Sequence, residues 1–283
     1  MVDSEYWKGK VISITGTPYT LIGFSWAARK TGFYIPEIRL MLDCGVPNGF
    51  SPEHIFITHG HADHSFNLPW TIIDTGTVKP KIYVPNKKKE DIYNYINSAY
   101  ILSTNNPKPK IHSKYDLISC EPDTHFIINV SNMKWKVDCI RCIHTVPCIG
   151  FGFTEIRSKL KQEYLSLEKS EIVQLKQSGK QITEEIEFPL FCYLGDTNDA
   201  ILNNQLLKKY KFIMIECTFL DPEHIAEAVA DRHIHWSQIE KYIIENSQTT
   251  FVVYHFSMRY TTDYIKTFFQ SKNIPNLIPW IKE

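Results

Sequence analysis

The segment Thr58-His59-Gly60-His61-Ala62-Asp63-His64 holds four metal-competent side chains within six residues. It follows an apolar stretch, 54–58, that reads as a strand. On an extended backbone His59 and His61 point to the same side, whereas Asp63 and His64 follow in a turn and can face a second position. Imidazoles and a carboxylate suit zinc and similar borderline cations, and this many ligands can serve two adjacent ions. A lone His-x-His is ordinary; His-x-His-x-Asp-His directly behind an apolar strand is hard to explain as a surface coincidence. Further along, His144, Asp196, Glu216 and His255 stand at or just beyond the ends of the apolar runs 134–143, 190–194, 212–215 and 251–254. Side chains gathered at the carboxyl ends of several strands are how a layered α/β sheet builds one site.

Those strand ends imply elements to hold them. Runs rich in β-formers at 10–15, 38–42, 54–58, 81–84, 134–143, 190–194, 212–215 and 251–254 are interspersed with helical patterns at 88–100 and 200–210. A further helical pattern at 170–178 stops at Gly179, a residue suited to the left-handed position after a helix. Ser237 with Glu240 three residues on reads as a capping box, ahead of an apolar stripe of Ile239, Tyr242 and Ile243. Thr262 can cap a last helix that buries Ile265, Phe268 and Phe269. The polar tract 157–187 interrupts the strand rhythm. It is read as a helical insertion at about 155–188 in a single domain spanning residues 1–283. The class these elements give is α/β or α+β with mixed sheets.

Composition excludes several alternatives. The chain of 283 residues has 43% hydrophobic residues and equal numbers of basic and acidic ones, 31 each, which is not a disordered composition. Neutrality also disfavours a uniformly basic nucleic-acid binder. The seven cysteines are odd in number and spread through the chain, as reduced, buried thiols would be. Cys139 and Cys142 lie three apart within one strand pattern, so they point to opposite faces and chelate poorly as a pair. The N-terminal stretch has no apolar signal core, and no run approaches the length of a membrane span; a cytoplasmic or nuclear location, away from membranes, is the expectation. Charge is uneven, however. Between Lys79 and Lys114 eight basic residues, Lys108 and Lys110 among them, face only Glu90 and Asp91. Tyr83, Tyr93, Tyr95 and Tyr100 lie in the same stretch. It is either a local RNA-binding surface or a solvated helix face with core tyrosines. His54, His112, His125 and His224 have no supporting context and read as structural or surface residues.

This set of motifs resembles the metallo-β-lactamase superfamily and, within it, the ribonuclease Z family of tRNA 3′-processing endonucleases in their short, plant-type form. The resemblance covers nearly the whole chain. It rests on Leu42-Asp43-Cys44-Gly45, the His59–His64 block, His144, Gly195-Asp196-Thr197, Glu216-Cys217-Thr218-Phe219, His233-Ile234-His235-Trp236-Ser237 and His255-Phe256-Ser257-Met258-Arg259-Tyr260. It implies an αββα sandwich, two mixed β-sheets flanked by helices. It implies two Zn²⁺ ions, with Mn²⁺ as an alternative: His59, His61 and His144 on one, Asp63, His64 and His255 on the other, and Asp196 between them. Asp63 would orient or deprotonate the attacking water. Glu216 and His235 would form a proton-handling pair near the leaving group. His233 is the rival for that place; His235 is preferred because it lies just before the expected N-cap at Ser237 and matches the family's His-x-Ser. Ser257 and Arg259 would contact a substrate phosphate. The implied activity is endonucleolytic removal of the 3′ trailer from precursor tRNA, leaving a 3′-hydroxyl, with precursor tRNA or another RNA as partner and a homodimer as the assembly. The alternative is a hydrolase of the same fold acting on a β-lactam, lactone or thioester, alone or alongside RNA cleavage. The span from His144 to Asp196 has no Gly/Pro-rich run, so a long substrate-clamping arm is not expected.

Overall fold

The apolar runs become strands of two seven-stranded sheets in a computed structural model that describes residues 4–73, 78–104 and 113–281. Lys108, Lys110 and His112 lie outside the described residues. In the first sheet β1 (Val11–Ser13), β2 (Thr20–Trp26), β3 (Lys30–Ile35) and β4 (Leu40–Leu42) run antiparallel in turn; β5 (His54–Phe56), β6 (Lys81–Pro85) and β7 (Asp116–Cys120) then continue parallel to β4. The second sheet repeats the plan. β8 (His125–Val130), β9 (Met133–Cys142), β10 (Cys148–Leu160) and β11 (Thr183–Tyr193) are antiparallel, and β12 (Phe212–Glu216), β13 (Thr250–Tyr254) and β14 (Leu277–Pro279) follow in parallel.

Between the sheets lies an aromatic core. Phe56 of the first sheet meets Phe151 and Phe153 of the second with ring centroids 4.9 Å apart, and Phe33 meets Tyr254 at 5.3 Å, all edge-on. The period-two rule explains how one strand serves two cores. Phe212 and Met214 of β12 point into this core, while Ile213 and Ile215 point the other way. The outward face is covered by α7 (Trp236–Glu245) and α8 (Thr262–Lys272), through Ile239, Ile243, Ile265 and Phe269. On the first sheet α3 (Leu68–Ile73) and α4 (Lys89–Thr104) do the same with Leu68, Ile72, Ile92 and Ile96. The result is the expected four-layered αββα sandwich of mixed sheets. Cys139 belongs to the inter-sheet core and Cys142 to the helix-facing one, on opposite faces of β9. No described helix is long and apolar enough to cross a membrane.

Four local expectations differ. The cap of α8 is Thr261 rather than Thr262, its hydroxyl accepting from the Tyr264 N–H at 3.2 Å. The pattern at 200–210 forms two short 3-10 turns, Asp199–Asn203 and Gln205–Lys209, because the side chains of Asn198 and Asn204 each cap a new start. The tract at 155–188 is chiefly a two-stranded ribbon, β10 and β11 running on past the sheet, with one exposed helix, α5 (Lys169–Gln177), at its end. Its polar sequence follows from that exposure. The helix expected from Ser237 starts at Trp236, and its N-cap is His235.

Direction explains where the site forms. β9 and β11 both run antiparallel to β10, and β12 and β13 run parallel to β11. These four strands therefore all deliver their carboxyl ends to one edge, and β5 brings its own carboxyl end there from the facing sheet.

Candidate metal centre

The loop after β5 carries His59 and His61 and leads into α2 (Ala62–Ser65), a single turn that holds Asp63 and His64. The chain before it must come very close: a Cβ on Gly45 would lie 1.6 Å from the Asp63 carbonyl oxygen, so only glycine fits. His144 follows β9, Asp196 follows β11 and His255 follows β13. All seven candidate ligands converge in two groups. Ligand atoms of His59, His61, His144 and Asp196 lie within 4.8 Å of one another, as do those of Asp63, His64 and His255. Asp196 joins the groups, its Oδ1 3.4 Å from His64 Nε2 and its Oδ2 3.3 Å from His255 Nε2 and 3.7 Å from His59 Nε2.

These spacings can be tested against a metal. Zinc–nitrogen bonds of 2.0–2.1 Å at tetrahedral angles put neighbouring ligand atoms about 3.3 Å apart. His144 Nε2 to His61 Nδ1 is 3.2 Å, His64 Nε2 to His255 Nε2 is 3.3 Å, and His255 Nε2 to Asp63 Oδ2 is 3.3 Å. His59 Nε2 and Asp196 Oδ1 are buried with no hydrogen-bond partner among the described residues, which is costly for polar atoms that serve no ligand. The donor set fits a pair of borderline divalent cations.

The surroundings fix which ring nitrogen faces inward. Thr58 Oγ1 lies 2.9 Å from His59 Nδ1, Thr218 Oγ1 2.9 Å from His255 Nδ1, Asp43 Oδ2 2.7 Å from His64 Nδ1, and the Arg232 carbonyl 3.3 Å from His144 Nδ1. Each contact occupies Nδ1 and leaves Nε2 for the centre. Asp63 is held by the Ala28 N–H, which donates to Oδ2 at 3.0 Å. Burial alone would push the His64 pKa down, but the carboxylates of Asp196, Asp43 and Asp63 raise it to about 10, a field that favours positive charge at this point. Burial pushes the His59 pKa down, with His64 adding to the effect.

Asp43 had no role assigned from the sequence, although Leu42-Asp43-Cys44-Gly45 stood out. It is fully buried with φ of +56°. Its carboxylate accepts from the Thr58 N–H at 2.7 Å and the Tyr193 hydroxyl at 2.6 Å besides meeting His64. Removing it leaves three groups without their anion. Asp43→Ala is expected to weaken metal binding by about 10- to 100-fold in a chelator-competition titration; unchanged affinity would mean that His64 needs no support from behind.

Glu216, the last residue of β12, is fully buried, but its partner is not the expected one. The expected Glu216–His235 pair is not formed. Glu216 Oε1 lies 2.7 Å from His233 Nδ1 and accepts from the Thr197 N–H; Oε2 accepts from the Thr218 hydroxyl at 2.6 Å. His235 is 2% exposed. Its Nδ1 accepts from the Ser237 N–H at 3.1 Å, and its Nε2 lies 2.9 Å from the Asp221 carbonyl oxygen. A parallel bridge between Phe219 and His235 pulls it inward. His233 instead emerges from a left-handed turn at Arg232, φ 58°, which ends α6 (Ile225–Asp231) and aims the ring at the centre. It lies 4.9 Å from the His144 ring and 5.3 Å from that of His255. Burial lowers the His233 pKa, but the Glu216 carboxylate, with Asp196 and Asp231, raises it to about 9.

Ser257 and Arg259 line an open cleft of about 270 Å³ together with Asp63, Asp196 and His233. Arg259 Nε donates to Ser257 Oγ at 3.1 Å, and its two terminal nitrogens grip Glu227 at 2.8 and 2.6 Å. Glu227 is a second residue that sequence reasoning missed; its position on α6 gives no local signal.

No protein-family model matches the chain. Among curated proteins it is similar to tRNase Z TRZ1 of Arabidopsis thaliana, 31% identical over 268 residues that cover 92% of each chain. It is also similar to the chloroplastic tRNase Z TRZ2 of the same plant, 29% identical over 92% of this chain and 75% of that one. Among solved structures, the short form of human tRNase Z superposes with a TM-score of 0.53 at 14% identity, covering 98% of this chain and 96% of that one. The metallo-β-lactamase fold protein YhfI of Bacillus subtilis gives 0.54 at 11% identity, covering 91% and 93%. The last two are likenesses of fold.

Proposed function

Since the chain belongs to the ribonuclease Z (tRNase Z) family, we propose that it is a metal-dependent endoribonuclease acting at the 3′ end of precursor tRNA. One phosphodiester is hydrolysed, leaving a 3′-hydroxyl on the tRNA and a 5′-phosphate on the trailer. The observation that carries this reading is the Glu216–His233 pair set against the ligand cluster: ligand atoms of Asp196, His233 and His255 lie within 4.8 Å of one another. A proton donor thus stands where a leaving oxygen would appear.

His59, His61 and His144 would hold one zinc ion, Asp63, His64 and His255 the other, and Asp196 both; manganese is the alternative. When bound, the ions would acidify a water and neutralise phosphoryl oxygens. The chain supplies the rest. Asp63, steadied by Ala28, orients the attacking water and takes its proton. Glu216 holds His233 by Nδ1, so Nε2 delivers a proton to the leaving 3′-oxygen. Ser257 and Arg259 receive a phosphate, which exchanges with Glu227 for the guanidinium fork.

The test is to incubate the zinc-loaded protein with a 3′-extended precursor tRNA and, in parallel, a chromogenic β-lactam. Cleavage at the trailer junction, abolished by chelator, is expected. Small-molecule turnover far above RNA cleavage would replace this reading with that of an acyl hydrolase.

A homodimer is the proposed assembly. Phe66 and Trp70 are each 60% exposed, beside the metal loop, and the Phe66 ring lies tilted against Tyr95 of α4 with centroids 5.6 Å apart. Such rings in water suit a partner surface. Trp70→Glu is expected to halve the mass seen by sedimentation. A wild-type chain that sediments as a monomer would remove the dimer from the proposal.

A further inference from the structure

Beside His144, and separate from the cleft of Ser257 and Arg259, is a cavity of about 530 Å³. That lies within the ~300–1,000 Å³ range of small-ligand sites. Pro85 at the end of β6, Pro122 in the loop before β8 and Pro147 before β10 form its walls. Proline rings are stiff, apolar and lack an N–H, so a planar base can lie against them without leaving a donor unpaired. Asn86 and Glu121, hydrogen-bonded to each other, place an amide and a carboxylate at the edge, groups able to pair with the polar rim of a base. Charge mildly favours a polyanion here: Lys87 and Arg232 line the cavity against the carboxylate of Glu121, while Arg141 is paired with Asp123 at 2.7 Å.

The cavity is fastened to the centre on one particular side. Arg232 Nη1 donates to the His144 carbonyl at 2.7 Å, and the Arg232 carbonyl lies 3.3 Å from His144 Nδ1. The next residue is His233, the proposed proton donor to the leaving oxygen. A base seated here therefore belongs to the nucleotide whose 3′-oxygen leaves.

We propose that this cavity is a nucleoside subsite for the unpaired nucleotide 5′ of the scissile bond, with Lys87 and Arg232 set against the adjoining backbone phosphate. The inference rests on the RNA-cleaving reading above. It assigns recognition of the last tRNA nucleotide to the His144 side of the centre and leaves the Arg259 cleft for the scissile phosphate.

Two measurements on the zinc-loaded protein test it. Precursor tRNA carrying 4-thiouridine at that nucleotide should crosslink on irradiation to peptides spanning 85–87, 121–123 or 141–149. In kinetics, removing the base from that nucleotide should slow wild-type cleavage at least tenfold. Val146→Trp, which fills the cavity, should cleave intact and abasic precursors at the same rate. Lys87→Ala, at an exposed position where the fold is not at stake, should raise KM for the intact precursor several-fold. Equal wild-type rates on intact and abasic precursors, or crosslinks confined to other segments, overturn the subsite while leaving the RNA reading standing. Failure to cleave the intact precursor at all overturns the RNA reading, and the subsite with it.

Discussion

His233→Ala is expected to slow precursor cleavage by about 10²- to 10⁴-fold, the usual contribution of a positioned acid, with zinc content unchanged. His235→Ala should act differently. It removes the cap of α7 and empties buried volume, costing about 1 kcal/mol for the cap with a cavity term on top. Its melting temperature should fall by several degrees while turnover per folded molecule stays near wild type. The two histidines are thus separable by pairing a rate with a melting curve. The carboxylate gives a second handle. Glu216→Gln removes a charge that raises the His233 pKa, so His233 loses its proton at lower pH. A donor works only while protonated, and the alkaline limb of the kcat profile should move to lower pH. A limb that stays in place would mean that Glu216 does not tune the donor.

Zinc is expected to stabilise the fold strongly. The centre buries Asp63, Asp196, His59, His64, His144 and His255, and ligands that bind only the folded state add stability by mass action. At a thousandfold excess over Kd this is about 4 kcal/mol for each site, or on the order of 10 °C in melting temperature for a domain of this size. Chelator should reverse the gain. Asp196→Asn should lose most of it along with RNA cleavage, because this carboxylate joins both ligand groups. A melting temperature indifferent to zinc in the wild-type chain would argue that the cluster holds no ion, whatever its spacing.

The site was unevenly legible in the sequence. His59, His61, Asp63 and His64 are close neighbours, so backbone periodicity alone puts them near one another. His144, Asp196, Glu216 and His255 were visible because each stands at or just beyond the end of an apolar run. Asp43 was noticed only as part of a motif; its role depends on a positive φ and on Thr58, His64 and Tyr193 meeting at one carboxylate. Much of the sheet structure was missed for a related reason. The strands β2, β3 and β10 and the part of β11 before residue 190 carry polar residues that a short apolar window passes over, and pairing with neighbours supplies what the local pattern lacks.

The sequence by itself determined the chemistry: which side chains are available, that they follow strands, and that a neutral chain must keep any RNA-binding surface local. Only the tertiary structure shows which of His233 and His235 meets Glu216. The two residues are the same type and two apart, and nearness to Ser237, the one local signal that separates them, favours His235. A left-handed turn at Arg232 aims one at Glu216, and a bridge to Phe219 buries the other as a helix cap. Both features depend on contacts with residues distant in the chain, and such contacts leave no mark on the spacing of the two histidines.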